Sequence, residues 1–473
     1  MTTNINCIDG SILQLNDDEL ESFKASLRGE LLGQADKDYE VARQVWNMMI
    51  DKCPALIARC TGAADVITAI RFAAERELLI SIKGGGHNIA GSAVCEGGLM
   101  LDLSGMTAVI VDPEKKTVKA QAGALLGDLD HETQAFGLAV PTGINSTTGI
   151  AGLALGGGYG WLSRKFGHTV DNILSVDIVT ADGEFKHASA TENEELFWAV
   201  RGGSGNFGVV TTFEFQAHDV GPMVLSGPCV YALNPDILKK YRELEKTMPD
   251  EAAIWLVIRR VPPFPFLDEK DHGRPTIILA MAYSGDIAEG EKILAPYRNL
   301  GVPLGDAVAP NPYAGWQQAF DPLVGPRARN YWKSSDFLEL TDDVIDIICS
   351  AVETMPSDEC EMFIAQLGGA AGRVAVTDMA YPHRNTRFTM NIHGRWQTED
   401  MDADCLSWVR GLYSNLEEHA TGSVYVNFVP EDGEVRKVGP YGANQKRLEE
   451  IKGRIDPKNL FRTNINIKAR PIK

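Results

Sequence analysis

The chain has 473 residues, 44% hydrophobic and 23% charged, enough for two domains or one large composite unit and ordinary for a soluble globular protein. Lys and Arg total 45 against 64 Asp and Glu, a formal charge of −19 that repels nucleic acid and anionic membranes and excludes both as expected partners. No apolar run is long enough to span a bilayer, and MTTNINCIDGSILQLNDDELE lacks the features of a secretory signal. The 8 cysteines are scattered, with no C-x-x-C pair, so reduced thiols and a cytoplasmic location are expected.

In chain order, PALIARC reads as a strand. AADVITAIRFAAERE places Val66, Ile70, Ala73 and Ala74 on one helical face, and LLISI is a buried strand running into KGGGH. GLMLDLS is a further strand, AVIVDPEKKTVKAQAG a hairpin turning at Asp112–Pro113, and LLGDLDHETQAFG a helix closed by Gly137. After the glycine-rich stretch 141–160, SVDIVTADGEFKHAS is a hairpin turning at Asp182–Gly183. ELFWAVRGGSGNFGVVTTFEFQAH is then a helix, a glycine loop and a strand.

Near residue 217 the glycines thin out. The strands AAIWLVIRRV, PTIILAMAYSG, CEMFIAQLGG and TRFTMNIHGRWQ alternate with helices such as DVIDIICSAVET and DCLSWVRGLYSNLEEHA. The mixture predicts an antiparallel sheet covered by helices. The expected fold class is α+β. A glycine-rich binding domain spans 1–216 with its core from about 50, a substrate-side α+β domain spans 217–420, and the segment 421–473 returns to the first domain.

Glycines after a strand let backbone amides approach a phosphate, so SIKGGGHNIAG suits an anion nest, with Lys83 adding charge and Asn88 and Ser92 adding donors. The same string also suits a tight surface turn. His87 within it could be a metal ligand, a base, a structural residue or an attachment point. GSGNFG at 203–208 matches a dinucleotide fingerprint in form only: a helix precedes it and a strand follows, the reverse of a nicotinamide site. The seven glycines in 141–160 suit either close approach of a large flat ligand or crowded packing. The 9 histidines contain no HExxH or HxH, so no metal site is expected.

KGGGHNIAGSA, then GIAGLALGGGYGWLSRKFGHTVDN with RGGSGNFGVVT behind it, then YVNF and DPKNLFRTNINI occur in that order. Together they resemble the berberine-bridge-enzyme-like FAD-linked oxidases of the vanillyl-alcohol-oxidase (PCMH-type FAD-binding) superfamily. The resemblance covers roughly 27–470 and is strongest to the bacterial branch that includes 6-hydroxy-D-nicotine oxidase. It implies a PCMH-type FAD-binding domain of two α/β subdomains.

It also implies FAD held covalently on His87. The link is expected to be single, because Asn145 stands where some members place a second attaching cysteine. Lys83, which stands where arginine is commoner, would still suit the phosphate nest. Gly84, Gly85, Gly86, Asn88, Gly91 and Ser92 would border the pyrophosphate. Thr147, Thr148 and Gly152 would lie along the ribityl chain and flavin edge, Val210 at the adenine side, and Asn427 at the pyrimidine end.

Tyr425 is the expected base, on a strand that points it the same way as Asn427, with Lys333 or Arg384 as the cation that would lower its pKa. Tyr331, Lys333, Asn391 and His393 are expected on the substrate side, and His383 matches a family string. Some plant relatives carry a catalytic glutamate near the Asn391 position, and this chain does not. His168 stands where an apolar residue is usual.

The activity implied is oxidation of a C–OH or C–N bond of a small organic or sugar-like substrate, with dioxygen as acceptor and hydrogen peroxide as product. A dehydrogenase of the same fold and a catalytically silent flavin-binding protein remain as alternatives.

Overall fold

A computed structural model describes residues 2–431 and 439–470. Its first layer is a four-stranded sheet of β1 (Glu30–Gly33), β2 (Leu56–Arg59), β3 (Ile80–Lys83) and β4 (Leu99–Asp102), in spatial order β1-β2-β4-β3. β4 pairs parallel with both β2 and β3, while β1 pairs antiparallel with β2. Helix α1 (Ala63–Glu75) crosses between β2 and β3, and its stripe of Val66, Ile70 and Ala73 is fully buried.

A second, five-stranded sheet follows: β5 (Val109–Asp112), β6 (Thr117–Gln121), β7 (Ile173–Val179), β8 (Phe185–Ser189) and β9 (Val209–Gln216), in spatial order β8-β7-β9-β6-β5. Helices α2 (Leu126–Gln134), α3 (Ile150–Leu155) and α4 (Glu194–Val200) lie between its strands. Every pairing in this sheet is antiparallel, so only the first of the two expected α/β subdomains has parallel strands. Two of its connections, β5–β6 and β7–β8, are tight hairpins, which force antiparallel pairing.

The third sheet has eight strands, all antiparallel: β10 (Met223–Ala232), β11 (Ala252–Arg260), β12 (Pro275–Tyr283), β13 (Gly305–Asp306), β14 (Ala309–Pro312), β15 (Arg329–Phe337), β16 (Glu361–Gln366) and β17 (Phe388–Trp396). The order is β13-β10-β12-β11-β16-β17-β15, with β14 also on β10. Helices α5 (Pro235–Glu245), α6 (Ile287–Arg298), α7 (Asp342–Glu353) and α8 (Asp402–Asn415) cover one face. There Tyr241, Leu294, Ile348 and Val409 close a core with Leu256, Leu279, Met362 and Ile392. The opposite face, carrying Trp255, Val257, Ile278 and Phe363, joins the core of the first two layers. A sheet buried on both faces reads as near-continuous apolar strands, which is what AAIWLVI and PTIILAMA are.

The tail ends in α9 (Gln445–Ile455), which packs back on the first half of the molecule. Lys452, fully buried, donates to the carbonyls of Asn206 (2.7 Å) and Phe461 (2.9 Å) and pairs with Asp456 at 2.6 Å. No helix among the described residues is long and apolar enough to cross a membrane.

Candidate active site

One long cleft runs between the first two layers and the eight-stranded sheet. Its floor holds the loop after β3, the start of α3, Val210 at the head of β9, and Tyr425–Val429 of the tail. Trp255, Trp332, Glu361, Phe363 and His393 of the large sheet form its opposite wall.

The KGGGH loop is built as an amide nest. Gly86 takes a left-handed φ of +64°, and Asn88 Oδ1 accepts from the amides of Ala90 (3.1 Å) and Ser92 (3.3 Å). Gly84, Gly85, Gly86, His87, Asn88 and Ser92 all line the cleft. Lys83 does not: the strand turns it away, its Nζ donates to the Ala42 carbonyl at 2.6 Å, and burial lowers its pKa. Gly91 also stands off the cleft, where an added Cβ would collide with Ile50.

The stretch 141–160 serves packing more than ligand approach. A Cβ on Gly156 would lie 2.3 Å from Asn427 Oδ1, one on Gly157 2.8 Å from Tyr381, and one on Gly85 or Gly149 2.4 Å from the other's nitrogen. Gly152 differs: no atom lies within 4 Å of its Cβ position, and it opens on the cleft beside Thr148. Thr147 turns aside, its amide and hydroxyl donating to Asn145 Oδ1 at 3.0 and 2.6 Å.

Tyr425 and Asn427 meet by a different geometry from the expected strand. Residues Val426–Phe428 form a 3-10 turn, which brings Asn427 Nδ2 to Tyr425 Oη at 2.9 Å. The amide of Gly158 donates to the same oxygen at 2.9 Å. Burial raises the Tyr425 pKa, these two donors oppose it, and the net value is about 12. The expected cations are elsewhere. Lys333 lies over the rings of Tyr331 and Tyr413, and Arg384 is locked onto Asp171 at 2.6 and 2.9 Å. His383 is bonded to the Pro440 carbonyl at 2.9 Å.

Tyr331 and Lys333 face the helices, so of NYWKSSDF it is Trp332 that looks into the cleft. Strand periodicity pairs 331 with 333 and 332 with 334, but two buried faces give no sign of which is which. Trp332 stacks on His393 at 4.4 Å and 14°. His393 Nδ1 lies 3.0 Å from Glu361 Oε1, and its Nε2 lies 2.6 Å from Asn391 Nδ2. Glu361 is bound in turn by Arg259 at 2.6 Å. Burial raises the Glu361 pKa, but the Arg259 and His393 charges and hydrogen bonds outweigh it and hold the carboxyl at about 2. Asn391 sits fully buried behind His393. The β-strand alternation of CEMFIAQ signals that Glu361 and Phe363 share a face, but sequence alone gives no partner for them.

His168 caps a turn rather than lining the cleft. Its amide donates to Asp171 at 2.8 Å, and its ring packs against Tyr381 at 5.1 Å.

Several buried polar atoms of the floor have no hydrogen-bond partner among the described residues: His87 Nε2, Asn145 Nδ2 and Asn464 Oδ1, all on cleft-lining residues. An elongated cleft with an amide nest, an open glycine and orphaned polar atoms along its floor fits a flavin dinucleotide.

A model of the FAD binding domain matches residues 54–189, and one described as berberine and berberine like matches 424–468. An FAD-linked oxidoreductase of Dictyostelium discoideum is 30% identical over 458 residues, covering 95% of this chain and 96% of its own. The crystal structure of 6-hydroxy-D-nicotine oxidase from Arthrobacter nicotinovorans superposes with a TM-score of 0.83 at 27% identity, over 94% of this chain and 98% of that one. A chitooligosaccharide oxidase structure superposes at 0.84 and 26% identity, over 96% of this chain and 100% of its own. The cleft's chemistry and these likenesses agree: the chain belongs to the berberine-bridge-enzyme-like family of FAD-linked oxidoreductases with a PCMH-type FAD-binding domain.

Proposed function

We propose that this protein is an oxidase that carries FAD covalently, through a single link, on His87 and oxidises a C–OH or C–N bond of a small organic or sugar-like substrate. The observation that carries the reading is His87 itself: it lines the cleft at the end of an amide nest, and its Nε2 is sealed from solvent with no partner among the described residues. Burial, followed by a smaller effect of Arg395, takes its pKa down to about 4 against an opposing bond to its own backbone, so the ring is neutral near pH 7. Asn145, with no thiol to offer, supports one link rather than two. Bound FAD supplies the two-electron acceptor, and dioxygen its reoxidant, with hydrogen peroxide as product.

The proton acceptor in this reading is His393. Tyr425, neutral and with no cation beside it among the described residues, is a poor base, and the two bonds donated to it suit it to fixing Asn427 and the substrate. His393 has an ionised carboxylate behind one nitrogen. Its Nε2 is bonded by the Asn391 amide, so the substrate hydroxyl or amine must displace that amide to pass its proton to Nε2, while Glu361 at Nδ1 holds the imidazolium.

Precipitating the protein in acid tests the attachment: yellow colour should stay with the pellet, and colour released wholly to the supernatant removes His87 as its tether. Peroxide release under oxygen, with 6-hydroxy-D-nicotine and a chitooligosaccharide among the trial substrates, tests the oxidase. Reduction of the bound flavin without peroxide would instead make the protein a dehydrogenase.

A further inference from the structure

The imidazole of His87 has a companion that no motif marks. The indole of Trp46 lies against it, ring centroids 4.5 Å apart and planes 23° apart. Trp46 is buried and held from several directions. Its amide donates to the Gly86 carbonyl at 3.0 Å, and its Nε1 donates to the Val324 carbonyl at 3.1 Å. Trp332 meets it edge-on at 5.3 Å, and the Arg395 guanidinium stands 5.6 Å from its ring centroid. Arg395 is fixed in turn by Glu359 at 2.9 Å and by the Gly325 carbonyl at 2.8 Å. The indole therefore has one place to be, and it sets the plane in which His87 can lie.

We propose that Trp46 is the positioning residue for flavin attachment, holding the His87 imidazole in the orientation from which it bonds to the 8α-methyl carbon of FAD. This rests on the covalent reading above. In that step an imidazole nitrogen forms a bond to the methyl carbon, and one methyl C–H bond and the imidazole N–H bond break. The two electrons and two hydrogens released pass, by way of the cofactor, to dioxygen as hydrogen peroxide. A half-buried ring free to turn about its two side-chain torsions would present that nitrogen only part of the time. A stacked neighbour removes that freedom before the cofactor arrives. Trp46 touches neither substrate nor the reacting carbon in this role; it acts through His87.

The test uses the full chain and needs no substrate. Native protein, Trp46→Phe and Trp46→Leu are each incubated with FAD, and the flavin retained after acid precipitation, or fluorescent on a denaturing gel, is followed with time. Trp46→Phe keeps a ring over the imidazole and should attach flavin near the native rate. Trp46→Leu fills the space without a flat face and should attach it more slowly by on the order of 10-fold or more. Melting curves of the three proteins show whether each is folded. Attachment at the native rate in Trp46→Leu overturns the proposal. So does equal slowing in both variants, because packing volume and not the stacked ring would then be the requirement. Native protein that never retains flavin overturns the attachment itself, an outcome the native control separates from the other two.

Discussion

At the scale of single residues, the cleft wall is defined by what each polar group is bonded to. The sequence singled out His393 but had no partner to give it; the fold supplies Glu361 from the adjacent strand and Arg259 behind that. His393→Gln should lower kcat by about 100-fold, the usual contribution of a positioned base, with a much smaller change in KM. Glu361→Gln should lower kcat in the same direction, and it should also destabilise the protein by about 3 kcal/mol or more because Arg259 is left buried and unpaired. Steady-state peroxide production and urea unfolding read the two effects. Unchanged kcat in His393→Gln, with loss in Tyr425→Phe, would return the proton to the tyrosine. The family resemblance singled out His87, Asn88, Thr148 and Asn427, and all four line the cleft. Trp332 and Glu361 were not legible, because aromatic and charged residues in apolar strands look alike whether they face a ligand or a helix, and Trp46 was not, because it lies in an irregular segment with no periodicity to read.

At the scale of elements, the hairpins and helices of the first half follow local signals closely: Asp182–Gly183 turns a hairpin with Gly183 at φ +72°, and Gly137 closes α2 at +66°. The Tyr425–Asn427 segment did not, since a period of two fits a strand and the chain makes a 3-10 turn there. A turn three residues long leaves too little sequence to show a period. The connection between the Trp46 segment and β15 was invisible for another reason: it runs in part through the hydrogen bonds of one side chain. Asn47 Nδ2 donates to the carbonyls of Ile89 (3.0 Å) and Asn330 (2.9 Å), and its Oδ1 accepts from the amides of Asn330 (3.0 Å) and Met49 (3.1 Å). Asn47→Ala strips partners from four buried or half-buried backbone groups. It should cost about 3 kcal/mol of unfolding free energy, measured in urea, at the low end of what several lost partners imply.

At the scale of the whole molecule, the α+β class and the helix-covered sheet were readable from strand and helix alternation, whereas the cleft was not, because it arises where two long-separated regions meet. Burial away from the cleft sets an acid limit. His168 and His218 are each taken down to about 4 from 6.5, chiefly by burial, so both are neutral in the fold and charge more readily once it opens. The unfolded chain thus binds more protons between pH 6.5 and 4, and stability should fall as pH drops through that window, by on the order of 3 kcal/mol from fully buried His168 alone. Glu361, lowered from 4.5 to about 2, adds stability that is complete above 4.5 and disappears as pH falls toward 2. Melting temperatures from pH 8 to 4 should decline below 6.5, and a flat profile there would contradict the burial of these rings.

The contact of Gly85 with Gly149 carries a consequence for how such a chain can change. Each glycine occupies the space that the other's side chain would need, 2.4 Å from a backbone nitrogen. A mutation at one cannot be rescued by shrinking its partner, which is already the smallest residue there is. Compensation has to come from moving one of the two loops, and both border the cleft. Random mutagenesis selected for retained flavin should therefore leave these two positions untouched while their neighbours drift, and second-site revertants of a Gly85→Ala chain should map to loop lengths and backbone turns rather than to residue 149.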